Sequence, residues 1–453
     1  MDTNKHSGTS NVSPTSGLRP FALNDLVAGL LLLGCLLTIE PGYGQTTVQP
    51  DAPLPAQPLR VLTWWKSGAD HKAADILSDR LAKDNIQWHD MVFPPGSGDP
   101  KVDLKKWMLS GLAPDMVQLK GPLISQWFDQ GLINEFKPLP GGAPGSGKWD
   151  KALFPAVTDL VRKNGHLLAI PLGVHRMNLV FYNRAEFAKL GLRPPVNWDE
   201  FIVDANKLQK DGIIPLAQSA QPWQLAALFE TLLLSESSPE FYKRAFVHKD
   251  PSTFADNRFG RALYRLRILK KYMPSPVKEL SWVDATRMVI NGNAGMIVMG
   301  DFAKGELNAG GYTTDVNFGC AAVPNTANYH IYSIDTLVML KNNLVPPELA
   351  DKIAQLFESP NVQADYNIAK GSVSVLRNAD QIKMDSCARN SWNVFSRGSS
   401  AQAPSLAHDM IADSQFSDAV TAEIVRFFTD DSIKVTETQR RMASIARSSR
   451  WQY

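Results

Sequence analysis

"LRVLTWWKSGAD", Leu59–Asp70, opens the folded part of the chain. Its first residues have the apolar pattern of a buried strand, and "KAADILSDRLAKD" after it carries Ala73, Ala74, Leu77 and Leu81 on one helical stripe. Two adjacent tryptophans, Trp64 and Trp65, stand where the strand runs out. Side chains alternate across a strand, so one ring is expected to fill the core and the other to face elsewhere. The rhythm then repeats. "IQWHDMVF" reads as a second strand, "KVDLKKWMLSG" as a helix stopped by Gly111, and "DMVQLK" as a third strand. "GPLISQWFDQG" reads as a helix with Pro122 in its first turn and Gly131 at its end. This β-α-β-α order predicts an α/β lobe with a largely parallel sheet.

A second stretch follows. "LLAIPLGVHRMNLVFYN", Leu167–Asn183, reads as two strand segments broken by Pro171 and Gly173. "WDEFIVDANKLQKDG", Trp198–Gly212, is a helix ended by glycine; "AGMIVMGDFAKGEL" is strand, turn and helix; "YSIDTLVMLKN" is another strand. This order supports two lobes. The length of 453 residues suits two or three domains, and the 44% hydrophobic content is ordinary for a globular chain. Lys+Arg 47 against Asp+Glu 45 leaves +2, which argues against a nucleic-acid or membrane-surface binder. The sequence shows no internal repeat and no block of like charge.

Residues 1–44 read as a signal peptide. Lys5 and Arg19 precede the apolar run Leu26–Ile39, which is the size of a signal-peptide core and short for a membrane span. Cleavage between Gly44 and Gln45 fits the small residues there. A lipid anchor at Cys35 and an uncleaved anchor are the alternatives. The Pro-rich segment 45–58 reads as an extended linker. Secretion permits disulfides, so Cys320 and Cys387 either pair or stay free, and spacing does not decide. No Cys/His cluster has metal-ligand spacing. "GAPGSGKW", Gly142–Trp149, approaches a phosphate-binding loop, but Trp149 replaces the hydroxyl that would hold magnesium and no buried strand precedes it. A flexible loop is expected there.

The ordered series "TWWKSGAD", "DMVQLKGPLISQWFDQGLI", "IPLGVHRMNLVFYN", "GMIVMGDFAKGEL", "IAKGSVSVL" and "PSLAH" resembles the extracellular sugar-binding proteins of bacterial ABC transporters, solute-binding family 1. Within that family it looks most like the periplasmic glucose/mannose-binding proteins. The resemblance runs from about residue 59 nearly to the C-terminus. It implies an α/β fold of the two-lobe periplasmic-binding-protein kind (type II), its lobes joined by a multi-crossing hinge and closing over a ligand. By the same resemblance the N-terminal lobe takes residues 59–175 plus 321–365, and the C-terminal lobe takes 176–320 plus 366–453.

A sugar needs aromatic plates against its C–H faces and paired donors and acceptors for its hydroxyls. Trp64 and Trp65 supply plates, and the resemblance places this pair at the cleft mouth. Asp70 matches a carboxylate position of the family that carries Glu in the relative it resembles, so its reach is one methylene shorter; capping the next helix is its competing reading. Lys120 ends the third strand, where α/β sheets bind ligands, against the alternative of a solvated lysine. Asp301 and Lys304 match ligand positions of the second lobe, and Asp301 also stands where a helix cap belongs. Lys370 and His408 match positions that reach the ligand from the second lobe and hinge side. Trp223 is a second plate or a core residue. His175, Arg176 and Asn178 lie near the first crossing, where they touch sugar or stiffen the hinge.

The reading that results is a non-enzymatic periplasmic receptor for a glucose-like monosaccharide. It is expected to be a monomer, to close on its ligand and dock on ABC permease subunits, and to need no cofactor, metal or nucleic acid. Two rivals remain. One is the same fold read by a sensor kinase or chemoreceptor. The other is a secreted glycoside hydrolase using Asp70 and Asp301 as its paired carboxylates.

Overall fold

The computed structural model describes residues 58–91, 100–137, 152–341, 345–411 and 414–450. The expected leader with Cys35, the linker up to residue 57 and the loop Gly142–Trp149 lie outside them.

In chain order the strands are β1 Leu59–Leu62, β2 Trp88–Met91, β3 Met116–Gln118, β4 Arg162–Lys163, β5 His166–Leu167, β6 Ile170–Arg176, β7 Leu179–Asn183, β8 Ile214–Leu216, β9 Ala294–Met299, β10 Phe318–Ala322, β11 His330–Met339 and β12 Gln402–Pro404. One sheet runs β12-β11-β3-β1-β2, with β6 also paired on β11. A second runs β10-β7-β9-β8, and β4 and β5 form a separate pair. The first sheet is parallel at β1–β2, β1–β3 and β11–β12, but antiparallel where β11 meets β3 and β6. The sheet is therefore mixed, because the long strand β11 runs against its neighbours β3 and β6, which the local β-α-β pattern does not announce.

Each sheet carries its own core. Leu59, Val61, Leu62, Leu77, Leu81 and Met116 pack with Ile334, Leu337, Phe357 and Tyr366 in the first. Val180, Phe201, Leu228, Phe229, Phe259 and Ile424 pack in the second, and a smaller cluster of Phe181, Ile297 and Phe318 lies on the other face of its sheet. The chain passes from one core to the other between Val174 and Met177, between Ile331 and Ile334, and between Phe395 and Ala403. Tyr366, Val373, Val375 and Leu376 belong to the first core. Cys320 on β10 and Cys387 in the helix Ser386–Phe395 form a disulfide, so the pair joins the second sheet to a helix that buries Ala388 and Phe395 in the first core.

Local chemistry sets the helix ends that matter for the site. Ser67 caps the helix Gly68–Ala82 through a capping box with Asp70. Gly111 and Gly131 follow the helices Pro100–Ser110 and Leu123–Asp129 at φ +72° and +70°, the left-handed turn glycine accepts without strain. β1 ends at Leu62, so Trp64 and Trp65 lie beyond the strand and its alternation no longer governs them.

Candidate functional site

Just beyond the C-terminal ends of β1 and β3 the structure holds a cavity of about 450 Å³, within the range of small-ligand sites. Elements of the first core supply Trp64, Trp65, Asp70, Gln118, Lys120, His175, Asp335 and Lys370. The facing wall carries Met177, Trp223, Trp282, Phe302, Ala407, His408 and Asp409. Trp223, Trp282 and Phe302 each stand in the first turn of a helix, so three helix starts converge on the cavity.

Asp335 is the hub. It sits within β11, is 1% exposed, and receives Lys120 Nζ at 2.7 Å, Gln118 Nε2 at 3.0 Å, His175 Nε2 at 3.1 Å and the Tyr366 hydroxyl at 3.3 Å. Burial alone would push its carboxyl up, but Lys120 and His175 outweigh burial and hold it well below the usual range. The other ring nitrogen of His175, Nδ1, lies 2.6 Å from Asp301 Oδ1. Burial disfavours the imidazolium, yet Asp301 and Asp335 on its two sides raise its pKa above the ordinary value. Asp301, His175 and Asp335 thus form one buried chain of charge.

Asp70 caps its helix and faces the cavity at the same time. Its Oδ2 accepts from the Lys66 and Ser67 backbone N–H groups at 3.0 Å each, and its Oδ1 is paired with Lys370 Nζ. Burial opposes ionisation, but Lys370 and the two N–H groups win and lower its pKa. The Lys370 ammonium also lies 5.1 Å from the centre of the Trp65 ring. The Trp65 indole N–H is buried and finds no hydrogen-bond partner among the described residues, at the edge of a polar cavity. Trp64 is half-buried, its backbone N–H donating to Gln118 Oε1. On the far wall Trp223 and His408 meet edge to face, and Trp282 meets Phe302 the same way. Burial, then Lys120 and His175, push His408 down to about 3, so its ring is neutral.

Gly121 explains how the far wall reaches β3. Its φ is +58°, and a Cβ there would fall 1.9 Å from the Asp409 carbonyl oxygen. Only glycine lets the loop carrying His408 lie against the turn that follows Lys120.

The model of the bacterial extracellular solute-binding protein family matches residues 85–364. The chain belongs to that family. A probable sugar-binding periplasmic protein of Brucella melitensis is 32% identical over 74% of this chain and 78% of its own length. One of the same description from Rhizobium meliloti is 32% identical over 74% of this chain and 80% of its own. Among solved structures, the bacterial solute receptor AcbH, with its exclusive preference for β-D-galactopyranose, superposes with a TM-score of 0.72 at 18% identity over 87% of this chain and 99% of that one. The fold is thus that of the type II sugar receptors.

Within this solute-binding protein, eight of the residues singled out in the sequence border the cavity together: Trp64, Trp65, Asp70, Lys120, His175, Trp223, Lys370 and His408. Asp301 and Lys304 do not. Asp301 is 2% exposed and stands behind His175, its second oxygen taken by the Arg176 backbone N–H at 2.9 Å. It makes no side-chain cap to the helix Phe302–Ala309 either. Lys304 pairs with Asp385 at 3.1 Å and lines a separate cavity of about 180 Å³. Of the residues near the first crossing, His175 reaches the cavity. Arg176 and Asn178 are buried, and both bond to the Tyr329 carbonyl beside β11. Gln118, Asp335, Trp282 and Phe302 were not foreseen. A carboxylate in the middle of the apolar strand "YSIDTLVML" was the available signal for Asp335, since an unpaired charge there would be prohibitive.

Proposed function

We propose that this chain captures a neutral, glucose-like monosaccharide in the periplasm and hands it to the permease of an ABC transporter. The observation that carries this reading is one cavity combining indole faces with polar groups that are already paired with one another. Flat rings suit the C–H faces of a pyranose, and Asp70, Asp335, Lys120 and Lys370 offer donors and acceptors at its rim. Both lysines are engaged by carboxylates, so an anionic ligand would have to break a buried ion pair before gaining a contact. The names of the relatives and of the superposed receptor point to sugars in the same direction.

The two cores act in this reading as lobes that close over the sugar, with the crossings at 174–177, 331–334 and 395–403 as the hinge. Because Tyr366, Val373 and Leu376 pack in the first core, we assign residues up to about 395 of the C-terminal part to the first lobe. Closure is then population shift driven by contacts made to both walls at once. The hydrolase alternative needs a carboxylic acid kept protonated near neutral pH. Asp70 and Asp335, the carboxylates whose titration the cavity shifts, are both lowered instead.

Titration of tryptophan fluorescence tests the ligand class. D-glucose, D-mannose or D-galactose is expected to perturb the emission saturably, and D-glucuronate and glucose 6-phosphate are expected to leave it unchanged. Saturable binding of the anions with silence toward the neutral sugars would overturn the reading.

A further inference from the structure

Behind His408 lies a set of buried polar groups outside the cavity wall. Glu230 sits in the largely apolar helix Pro222–Ser235 and is fully buried. Its Oε2 accepts from the Leu406 and Ala407 backbone N–H groups at 2.6 and 3.4 Å and from the Tyr242 hydroxyl at 2.9 Å. Its Oε1 accepts from the Ser405 hydroxyl at 2.7 Å. The Ser405 oxygen in turn lies 2.9 Å from His408 Nδ1.

Proton counting decides what His408 offers the cavity. A hydroxyl has one proton, and an ionised carboxylate has none. The Ser405 proton therefore lies on its bond to Glu230, and the Ser405 oxygen accepts from His408. That places the single proton of the neutral imidazole on Nδ1 and leaves Nε2 as a bare lone pair. We infer that Glu230, acting through Ser405, is a positioning residue that fixes His408 as its Nδ1–H tautomer and so presents Nε2 to the cavity as an acceptor for a ligand hydroxyl. Burial pushes the Glu230 carboxyl up to about 7, so it is ionised at pH 8.5. The same burial that holds His408 near 3 keeps its ring neutral there. The consequence is one of specificity. Lys120, Lys370 and the Trp65 indole only donate, so an uncharged acceptor on the opposite wall orients a hydroxyl that the lysines cannot. The role of Nε2 toward a sugar rests on the function proposed above; the tautomer does not.

Nitrogen-15 NMR of the histidine-labelled protein at pH 8.5 reads the tautomer directly, with His408→Gln assigning the resonances. The wild-type protein is expected to show Nδ1 in the protonated range and Nε2 in the unprotonated range. In Glu230→Gln the three donors facing Oε2 hold the amide oxygen there, so the amide N–H₂ turns to Ser405. Ser405 then donates to His408, and the two ring shifts are expected to exchange. Ser405→Ala serves as a second variant if the first fails to fold; it removes the bridge, and both nitrogens are expected to move to averaged, intermediate shifts. A wild-type His408 protonated on Nε2, or a tautomer unchanged in both variants, overturns the inference. Adding D-glucose to the wild type is expected to shift Nε2 and not Nδ1. If glucose moves neither nitrogen while the tautomer behaves as described, the glucose reading fails and the relay stands.

Discussion

Asp335 concentrates four donors and three neighbouring positive charges, those of Lys120, His175 and Lys370, on one buried carboxylate, and so it is where a single substitution does most. Asp335→Asn keeps the shape but strands Lys120 without its counter-charge and leaves His175 with Asp301 alone. Removing one partner of a buried pair typically costs about 3–5 kcal/mol, and urea denaturation at pH 7 should show a loss of that size. A loss below about 1 kcal/mol, the level of an exposed pair, would show that the hub is solvated. Much of this residue-scale chemistry was hidden in the sequence. Trp64, Trp65 and Lys120, which border the cavity, were singled out because strand ends and tandem aromatics mark such positions and because the family resemblance pointed to them. Asp335 and Glu230 were not singled out: a lone carboxylate in an apolar run signals a buried charge, but not which distant segments supply its partners. Asp301 shows the converse: it does follow β9 as the pattern suggested, but the imidazole that intervenes between it and the cavity comes from β6.

At the scale of elements, the helix Pro360–Lys370 meets the turn before the helix Phe302–Ala309 backbone to backbone. Gly371 ends the first helix at φ +89°, and a Cβ there would lie 2.3 Å from the Asp301 carbonyl oxygen and 2.6 Å from the Gly305 nitrogen. Gly371→Ala is therefore expected to cost well over about 1 kcal/mol, since both the left-handed φ and the contact oppose it, and to weaken ligand binding because Lys370 immediately precedes it. Thermal unfolding together with sugar titration checks this; an unchanged midpoint would contradict the close approach. The Cys320–Cys387 bridge spans a sequence separation of 67 residues. Loop-closure entropy for a bridge of this length is roughly 4 kcal/mol, so the Cys320→Ser, Cys387→Ser double variant should unfold at distinctly lower denaturant. The helices Gly68–Ala82 and Trp198–Lys210 were legible from periodicity and end signals. The crossing role of β11 was not, because strand periodicity says nothing of which core each half of a strand serves.

Over the whole molecule the buried titrating groups oppose one another in pH. Asp70 and Asp335 have folded pKa values below the ordinary aspartate value of 3.8. Their contribution is fully present above that value and is lost as pH falls through the folded values. His175 is raised above 6.5, so its contribution is fully present below 6.5 and is lost as pH rises through its folded pKa. Glu230 is raised from 4.5 to about 7, and its contribution likewise fades as pH rises through that range. His408, held near 3, and His330, pushed well below 6.5 by burial, pull the other way, since their contribution is present above 6.5 and is lost as pH falls. Stability is therefore expected to peak near neutral pH and to decline on both sides. Glu230→Gln should remove about 3 kcal/mol of pH dependence between pH 4.5 and about 7, because each tenfold change in proton affinity is worth about 1.4 kcal/mol. Parallel pH profiles for the two proteins would contradict the burial of an ionisable Glu230.

The two-lobe fold was an expectation drawn from the family resemblance, and the α/β character was legible because strands and helices alternate with clear punctuation. The convergence of three helix starts on one wall was not, because it depends on how the second core packs. The central claim is that this wall and the ends of β1 and β3 hold one neutral sugar between them. Isothermal titration calorimetry on the folded wild type and on Trp65→Ala tests it most directly. One site for D-glucose, D-mannose or D-galactose in the wild type, weakened at least about tenfold by loss of the ring and its indole donor, is the predicted result. No heat with any of these sugars in a folded wild type, or equal affinity in Trp65→Ala, would contradict it.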